Sequence, residues 1–280
     1  MKKNNVILIP TDFSEVCQNA INYGVNMAKF LDFEIVLLHV VNKHTNTFLR
    51  KEKLQREYID NKLVEIAHRI ADEYGINVKT LSREGSIFSI IPKVTIEISA
   101  GLVLLGTHGK TGFQNLTGSY AMRVINSSTA PVLVVQNKEF RHGFKNIVLP
   151  IYNSKIFKSR LSWTRNIAKI FNSEILLFKI FETNPQLTVE IDEMTKCFTE
   201  EFDKNDIPNV ISKAEKGGQF AEQLIEFAVS NRADLILVTT NADEYDPSFI
   251  LGPWEEKLIF NTSQIPVMCI NPQIKIFDQD

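Results

Sequence analysis

The sequence predicts an α/β protein of two tandem domains, each a five-stranded parallel sheet with helices on both faces. Three observations carry this. The chain has 280 residues, which suits two domains at roughly 100 to 200 residues each. Its second half repeats the first: ILIPTDFS (7–14) aligns with IVLPIYNS (147–154), and FEIVLLHVV (33–41) with SEILLFKIF (173–181). Farther on, AGLVLLGTH (100–108) aligns with ADLILVTTN (233–241) and APVLVV (130–135) with IPVMCI (265–270), so the match runs the length of both copies. Finally, short Val/Ile/Leu runs alternate with stretches of helical period, the pattern of a parallel sheet wound by crossover helices.

In the first copy, strands are expected near 5–10, 34–41, 76–82, 101–106 and 131–136, nearly continuous apolar runs suited to burial on both faces. After the first strand, Ser14 is placed to cap a helix in which Cys17, Ala20, Ile21, Gly24, Ala28 and Leu31 recur at helical spacing, so Cys17 reads as core. A helix near 87–99 contains Pro92 and several β-branched residues, and is expected to kink early or start late. The polar stretch QNKEFRHGFK (136–145) reads as a short linker, giving domains at 1–138 and 144–280. In the second copy, Glu190 to Asp206 intersperses charges with Met194, Phe198 and Phe202, an amphipathic surface helix.

Composition narrows the function. Hydrophobic residues make up 44% and charged residues 23% of the chain, an ordinary globular balance. The net charge is −2, but residues 1–140 carry 16 Lys+Arg against 13 Asp+Glu while the remainder is acidic, which favours the first half for an anion. Neither half has the basic stripe with interleaved aromatics that nucleic-acid binding requires. Cys17, Cys197 and Cys269 form no CxxC pair, so a reducing compartment fits. MKKNNVILIP is too short in apolar residues for a signal-peptide core, and no run of about 20 apolar residues occurs. The expected setting is the cytoplasm.

The stretch GTHGKTGFQNLTGS (106–119) resembles a phosphate loop without matching the familiar ones. A P-loop would need glycine at 104, where Leu104 stands, and the GxGxxG fingerprint is replaced by GxxGxxG after a late strand. What remains is a glycine-rich turn at the carboxyl end of the fourth strand, followed by Gly118-Ser119 at a helix start, where free N–H groups attract an anion. The same glycines also suit a tight turn and a helix cap with no ligand.

The repeated βαβ unit, the sequence Pro10-Thr11-Asp12 at the end of the first strand, and LGTHG followed by GS together resemble the universal stress protein family in its tandem form. That resemblance implies a Rossmann-like sheet in each domain and adenine-nucleotide binding, ATP or AMP, with Mg²⁺ carried in by the nucleotide. It also implies that Pro10, Thr11 and Asp12 lie beside the adenine or ribose and that Val41 lines the base pocket. Gly106, His108 and Gly109 would surround the ribose and first phosphate; Gly118 and Ser119 would hold the outer phosphates. Further implications are a switch that orders residues 106–119, a role in stress adaptation, antiparallel pairing of the final strands so that one chain mimics a two-chain dimer, and further association as a homodimer.

This chain departs from the family pattern. Eight residues instead of nine separate Gly109 from Gly118, and Gly118-Ser119 is followed by Tyr120, whose ring would narrow the phosphate site, and Ala121, which has no hydroxyl. The second copy departs further. Tyr152 stands for Asp12, Thr239 and Ala242 for Gly106 and Gly109, and Gly252-Pro253 for Gly118-Ser119. Asp243, Glu244 and Asp246 would repel a phosphate, so this copy is expected to be a scaffold.

No other chemistry stands out. The five histidines show no HxxxH or HxH spacing, so no metal site is expected, and no GxSxG elbow occurs. ATP pyrophosphatases open with SGGxDS where this chain has PTDFSE. Trp163 and Trp254 are expected to pack on the sheet or at an interface. The expected function is non-enzymatic nucleotide binding; the alternatives are an interaction protein without nucleotide and, less favoured, a slow ATP hydrolase.

Overall fold

The structure is a computed structural model that describes residues 5–107, 118–141, 143–152, 157–239 and 253–270. The chain divides into two compact units, Met1–Arg141 and His142–Asp280.

In the first unit the elements run β1 (Val6–Pro10), α1 (Glu15–Leu31), β2 (Glu34–Val41), α2 (Lys43–Lys51), α3 (Glu57–Tyr74), β3 (Val78–Glu84), α4 (Ile87–Glu97), β4 (Leu102–Gly106), α5 (Gly118–Ser127) and β5 (Val132–Val135). The strands lie in the order β3-β2-β1-β4-β5, all parallel. Order reverses between β1 and β4, so the carboxyl ends of these strands form a crevice of the kind that receives ligands in open α/β sheets. Ile7, Leu8, Ile9, Leu37, Val103 and Leu104 are wholly buried, as strands covered on both faces should be. The third strand differs: β3 (VKTLSRE) is an edge strand with half-exposed polar side chains, and it ends two residues later than its apolar content suggests.

Local chemistry fixes the helix ends. The Ser14 hydroxyl accepts from the Cys17 N–H to start α1, and Asn42 accepts from the His44 and Thr45 N–H groups to start α2. Gly75, at φ 68°, ends α3 in the left-handed conformation. The α4 helix begins at Ile87 under a Ser86 cap, so of the early kink or late start expected from Pro92, the late start does not occur. Proline removes one N–H from the ladder, and burial of Ile91, Val94 and Thr95 around it outweighs that loss.

The second unit repeats the plan with β6 (Asn146–Ile151), α6 (Phe157–Phe171), β7 (Glu174–Lys179), α7 (Pro185–Lys204), β8 (Asn209–Lys213), α8 (Phe220–Ser230), β9 (Leu235–Thr239), α9 (Pro253–Ile259) and β10 (Val267–Ile270). Its strands are ordered β10-β9-β6-β7-β8, again parallel. The amphipathic helix expected at 190–206 is α7, which starts five residues earlier and ends at Lys204, with Phe198 and Phe202 wholly buried. The polar stretch between the copies is anchored at both ends. Phe140 packs edge-on against Tyr23 in the first unit, and Phe144 against Phe171 in the second. Trp163 is buried in α6; the side chain of Trp254 lies outside the described residues.

Candidate functional site

A cavity of about 370 Å³ opens at the carboxyl ends of β1 and β2 in the first unit. Its size lies within the ordinary range for a small-molecule site, roughly 300 to 1,000 Å³.

The turn that leaves β1 forms the floor. Thr11 N–H donates to the Leu38 carbonyl at 2.8 Å, which continues the β1–β2 ladder one step past the strand. The Thr11 and Asp12 side chains then accept from the backbone two residues on: Phe13 N–H to Thr11 Oγ1 at 3.0 Å, and Ser14 N–H to Asp12 Oδ1 at 2.9 Å. These bonds stabilise a tight reversal in which Phe13 takes φ 67°, a left-handed conformation that costs a non-glycine residue about 1–2 kcal/mol. The turn delivers the Phe13 ring onto His39, with centroids 4.8 Å apart and planes 11° from parallel.

Asp12 reaches solvent at the mouth of the cavity. Crowding around its carboxylate opposes ionisation, but hydrogen bonds from the Ser14 hydroxyl and N–H and from the Cys17 thiol outweigh it, aided by His39 once that ring protonates at low pH, and hold the carboxyl below its ordinary range. His39 is pushed the other way, chiefly by burial, and is neutral at pH 7. Its Nε2 meets Thr45 Oγ1 at 3.1 Å. The Thr11 carbonyl favours protonation of the ring, yet Nδ1 has no partner in hydrogen-bonding geometry. The Cys17 thiol, which also lines the cavity, is pushed up to about 12 by burial and by the Asp12 charge, so it stays protonated and unreactive.

The remaining wall comes from the helices. Ile59 of α3, Ile87 and Ile91 of α4, and Leu105 of β4 are apolar. From α2 come His44, Thr45 and Phe48, the last still 43% exposed at the rim. Lys62 of α3 places its ammonium 4.7 Å from the Phe13 ring centre and 5.7 Å from that of Tyr58. Among the described residues it has no carboxylate partner. The site thus offers an apolar slot edged by aromatic rings, one ionised carboxylate and one cation held over aromatic faces.

The expected residues divide into three groups. Pro10, Thr11 and Asp12 line the cavity together. Val41 lies past its edge: it is buried, and its carbonyl accepts from the Gly85 N–H at 3.1 Å. Gly106 ends β4 and faces α1, where a Cβ would come within 2.6 Å of the Val16 carbonyl oxygen, so its missing side chain serves helix packing. His108 and Gly109 lie outside the described residues, as do the side chains of Ser119 and Tyr120; Gly118 opens α5. Phe13, Lys62 and the α2 residues were not foreseen. Asn42, a strong helix-capping residue just after a strand, is the one sequence signal that could have found α2.

Residues 3–136 match the model of the universal stress protein family. Universal stress protein MJ0531 of Methanocaldococcus jannaschii is 34% identical over 138 residues, covering 46% of this chain and 81% of the relative. Universal stress protein MJ0577 of the same organism is 31% identical over 155 residues, covering 47% of this chain and 94% of that protein. Among solved structures, a universal stress protein from Archaeoglobus fulgidus covers 96% of this chain and 99% of its own, at TM-score 0.75 and 20% identity. The functionally unknown protein PA1789 from Pseudomonas aeruginosa covers 96% and 92%, at TM-score 0.65 and 16% identity. The structural likenesses establish the fold of both units, and the sequence relatives establish the lineage: this chain belongs to the universal stress protein family.

Proposed function

We propose that the first unit binds an adenine nucleotide, ATP or AMP, and that occupancy regulates a partner in stress adaptation. The observation that carries this is the cavity itself, an apolar slot of about 370 Å³ with the ionised Asp12 at its mouth and Lys62 over its aromatic wall. A flat heteroaromatic base suits walls built of Phe13, Ile87 and Ile91. The Asp12 carboxylate is an acceptor for ribose hydroxyls or an exocyclic amine. Phosphates would extend toward the start of α5 at Gly118, where free backbone N–H groups favour an anion, with Mg²⁺ accompanying them.

The proposal assigns no catalytic step. Regulation would follow from a partner that distinguishes the occupied from the empty chain. Among the described residues no helix is long and apolar enough to cross a membrane; a cytoplasmic setting and self-association as a homodimer belong to the proposal. The shortened segment between Gly109 and Gly118 favours a second reading, an interaction protein without nucleotide. The two separate cleanly. Denaturing the purified chain and reading released absorbance at 260 nm, followed by calorimetric titration with ATP and AMP, should reveal carried-over or saturably bound nucleotide. No absorbance and no heat at millimolar ligand would leave the second reading.

A further inference from the structure

The second unit buries a cation that no carboxylate meets among the described residues. Arg160 of α6 is 0% exposed. Its Nη2 donates to the Pro150 carbonyl near the end of β6, while Nε and Nη1 have no hydrogen-bond partner among the described residues. The rings of Tyr152, at 5.0 Å, and Phe198, at 5.8 Å, flank the guanidinium. Rings soften the cost of burying a charge but do not saturate N–H donors, and an uncompensated charge is among the least favourable groups an interior can hold.

A second orphan ends the strand next to β6. Thr239 ends β9, is 1% exposed, and its Oγ1 has no partner among the described residues. The β6–β9 ladder pairs Val148 with Ile236. Three residues on from that pair, Ile151 ends β6 and Thr239 ends β9, its neighbour in the sheet, and the Pro150 carbonyl that Arg160 holds lies just before Ile151. The repeat shows what has changed. Arg160 and Thr239 stand where the first unit has Ala20 and Gly106, which pack so tightly that a Cβ on Gly106 would lie 3.1 Å from the Ala20 Cβ. In the second unit a methyl and a hydrogen have become a guanidinium and a hydroxyl, at the place where strand order reverses.

We propose that Arg160 and Thr239 form an anion site in the second unit, selective for a small oxyanion, phosphoryl or carboxyl. A buried guanidinium suits such groups because its planar N–H donors match their oxygens, and the Thr239 hydroxyl adds a neutral donor. This site is independent of the nucleotide reading of the first unit.

Both tryptophans, Trp163 and Trp254, lie in the second unit, and Trp163 is three residues along α6 from Arg160, so tryptophan emission reports on this unit. The test titrates the full chain with inorganic phosphate and, separately, acetate, at ionic strength held constant with chloride. A saturable change in emission at millimolar anion is expected, weakened at least about tenfold in Arg160→Met and reduced in the near-isosteric Thr239→Val. The stronger of the two anions identifies the class. A flat native titration, or an Arg160→Met response equal to the native one, overturns the proposal. So does a response that appears only when Asp243, Glu244 and Asp246 are changed together to Asn, Gln and Asn, because the chain's own carboxylates would then be the anion.

Discussion

The rings of Phe13 and His39 stack with centroids 4.8 Å apart, joining the turn after β1 to the end of β2 across the cavity wall. The contact follows from register: Pro10 is paired with Leu38, so His39 stands one step beyond its strand pair while the chain doubles back at Phe13. The doubling back needs Phe13 in the left-handed region, and the Thr11 and Asp12 side chains hold it there.

Replacing Phe13 separates ring from backbone. Phe13→Gly loses a stack worth about 0.5–1.5 kcal/mol but relieves strain of similar size. Phe13→Ala loses the ring and keeps the strain. Urea unfolding should therefore find the alanine variant less stable than the glycine variant by about 1 kcal/mol, with both binding nucleotide more weakly than the native chain.

Asp12→Asn keeps an oxygen for the Ser14 N–H and removes the charge. The turn should persist, with a stability change below about 1 kcal/mol at pH 7, while ATP and AMP affinity falls roughly tenfold by calorimetry. Equal affinity in the variant would show that the carboxylate faces no ligand.

His39 gives stability a dependence on pH. Its folded value lies below the ordinary histidine value of about 6.5, because burial disfavours the charged ring. The unfolded state therefore takes up a proton first as pH falls. Stability is complete above about 6.5 and declines below it, down to the depressed folded value. His39→Gln should flatten the urea midpoint against pH in that window. A native profile already flat there would contradict the buried neutral ring. Asp12, whose folded value is also depressed, acts at lower pH, where its contribution is lost as the carboxyl protonates.

Gly106→Ala should destabilise the first unit by about 1–3 kcal/mol, since the new methyl meets the Val16 carbonyl oxygen, a backbone atom that cannot swing aside. Thermal unfolding measures this. A nucleotide defect in this variant should be proportional to the loss of folded protein, unlike that of Asp12→Asn.

The sheet was legible because its signal is redundant. Runs such as Leu102–Leu105 are apolar at every position, and the repeat supplies each strand twice. β3 was placed by position more than by pattern, since an edge strand need not be apolar on both faces. The cavity was legible only at Pro10, Thr11 and Asp12. α2 (KHTNTFLRK) buries Leu49 alone and carries no periodic stripe, so Thr45 and Phe48 could not be foreseen at the rim. Phe13 was hidden because two side-chain-to-backbone bonds, not its own propensity, set its conformation. Arg160 was hidden for the opposite reason: a basic residue in the first turn of a helix reads as solvent-facing, and only the fold reveals that it points into the interior.

Binding of nucleotide in the first unit alone is tested by calorimetric titration of the native chain, Gly118→Asp and Gly252→Asp with ATP and AMP. One site per chain is expected, abolished by a negative charge at the start of α5 and unaffected by the matching change before α9. Two sites per chain, or equal loss from both substitutions, would contradict it.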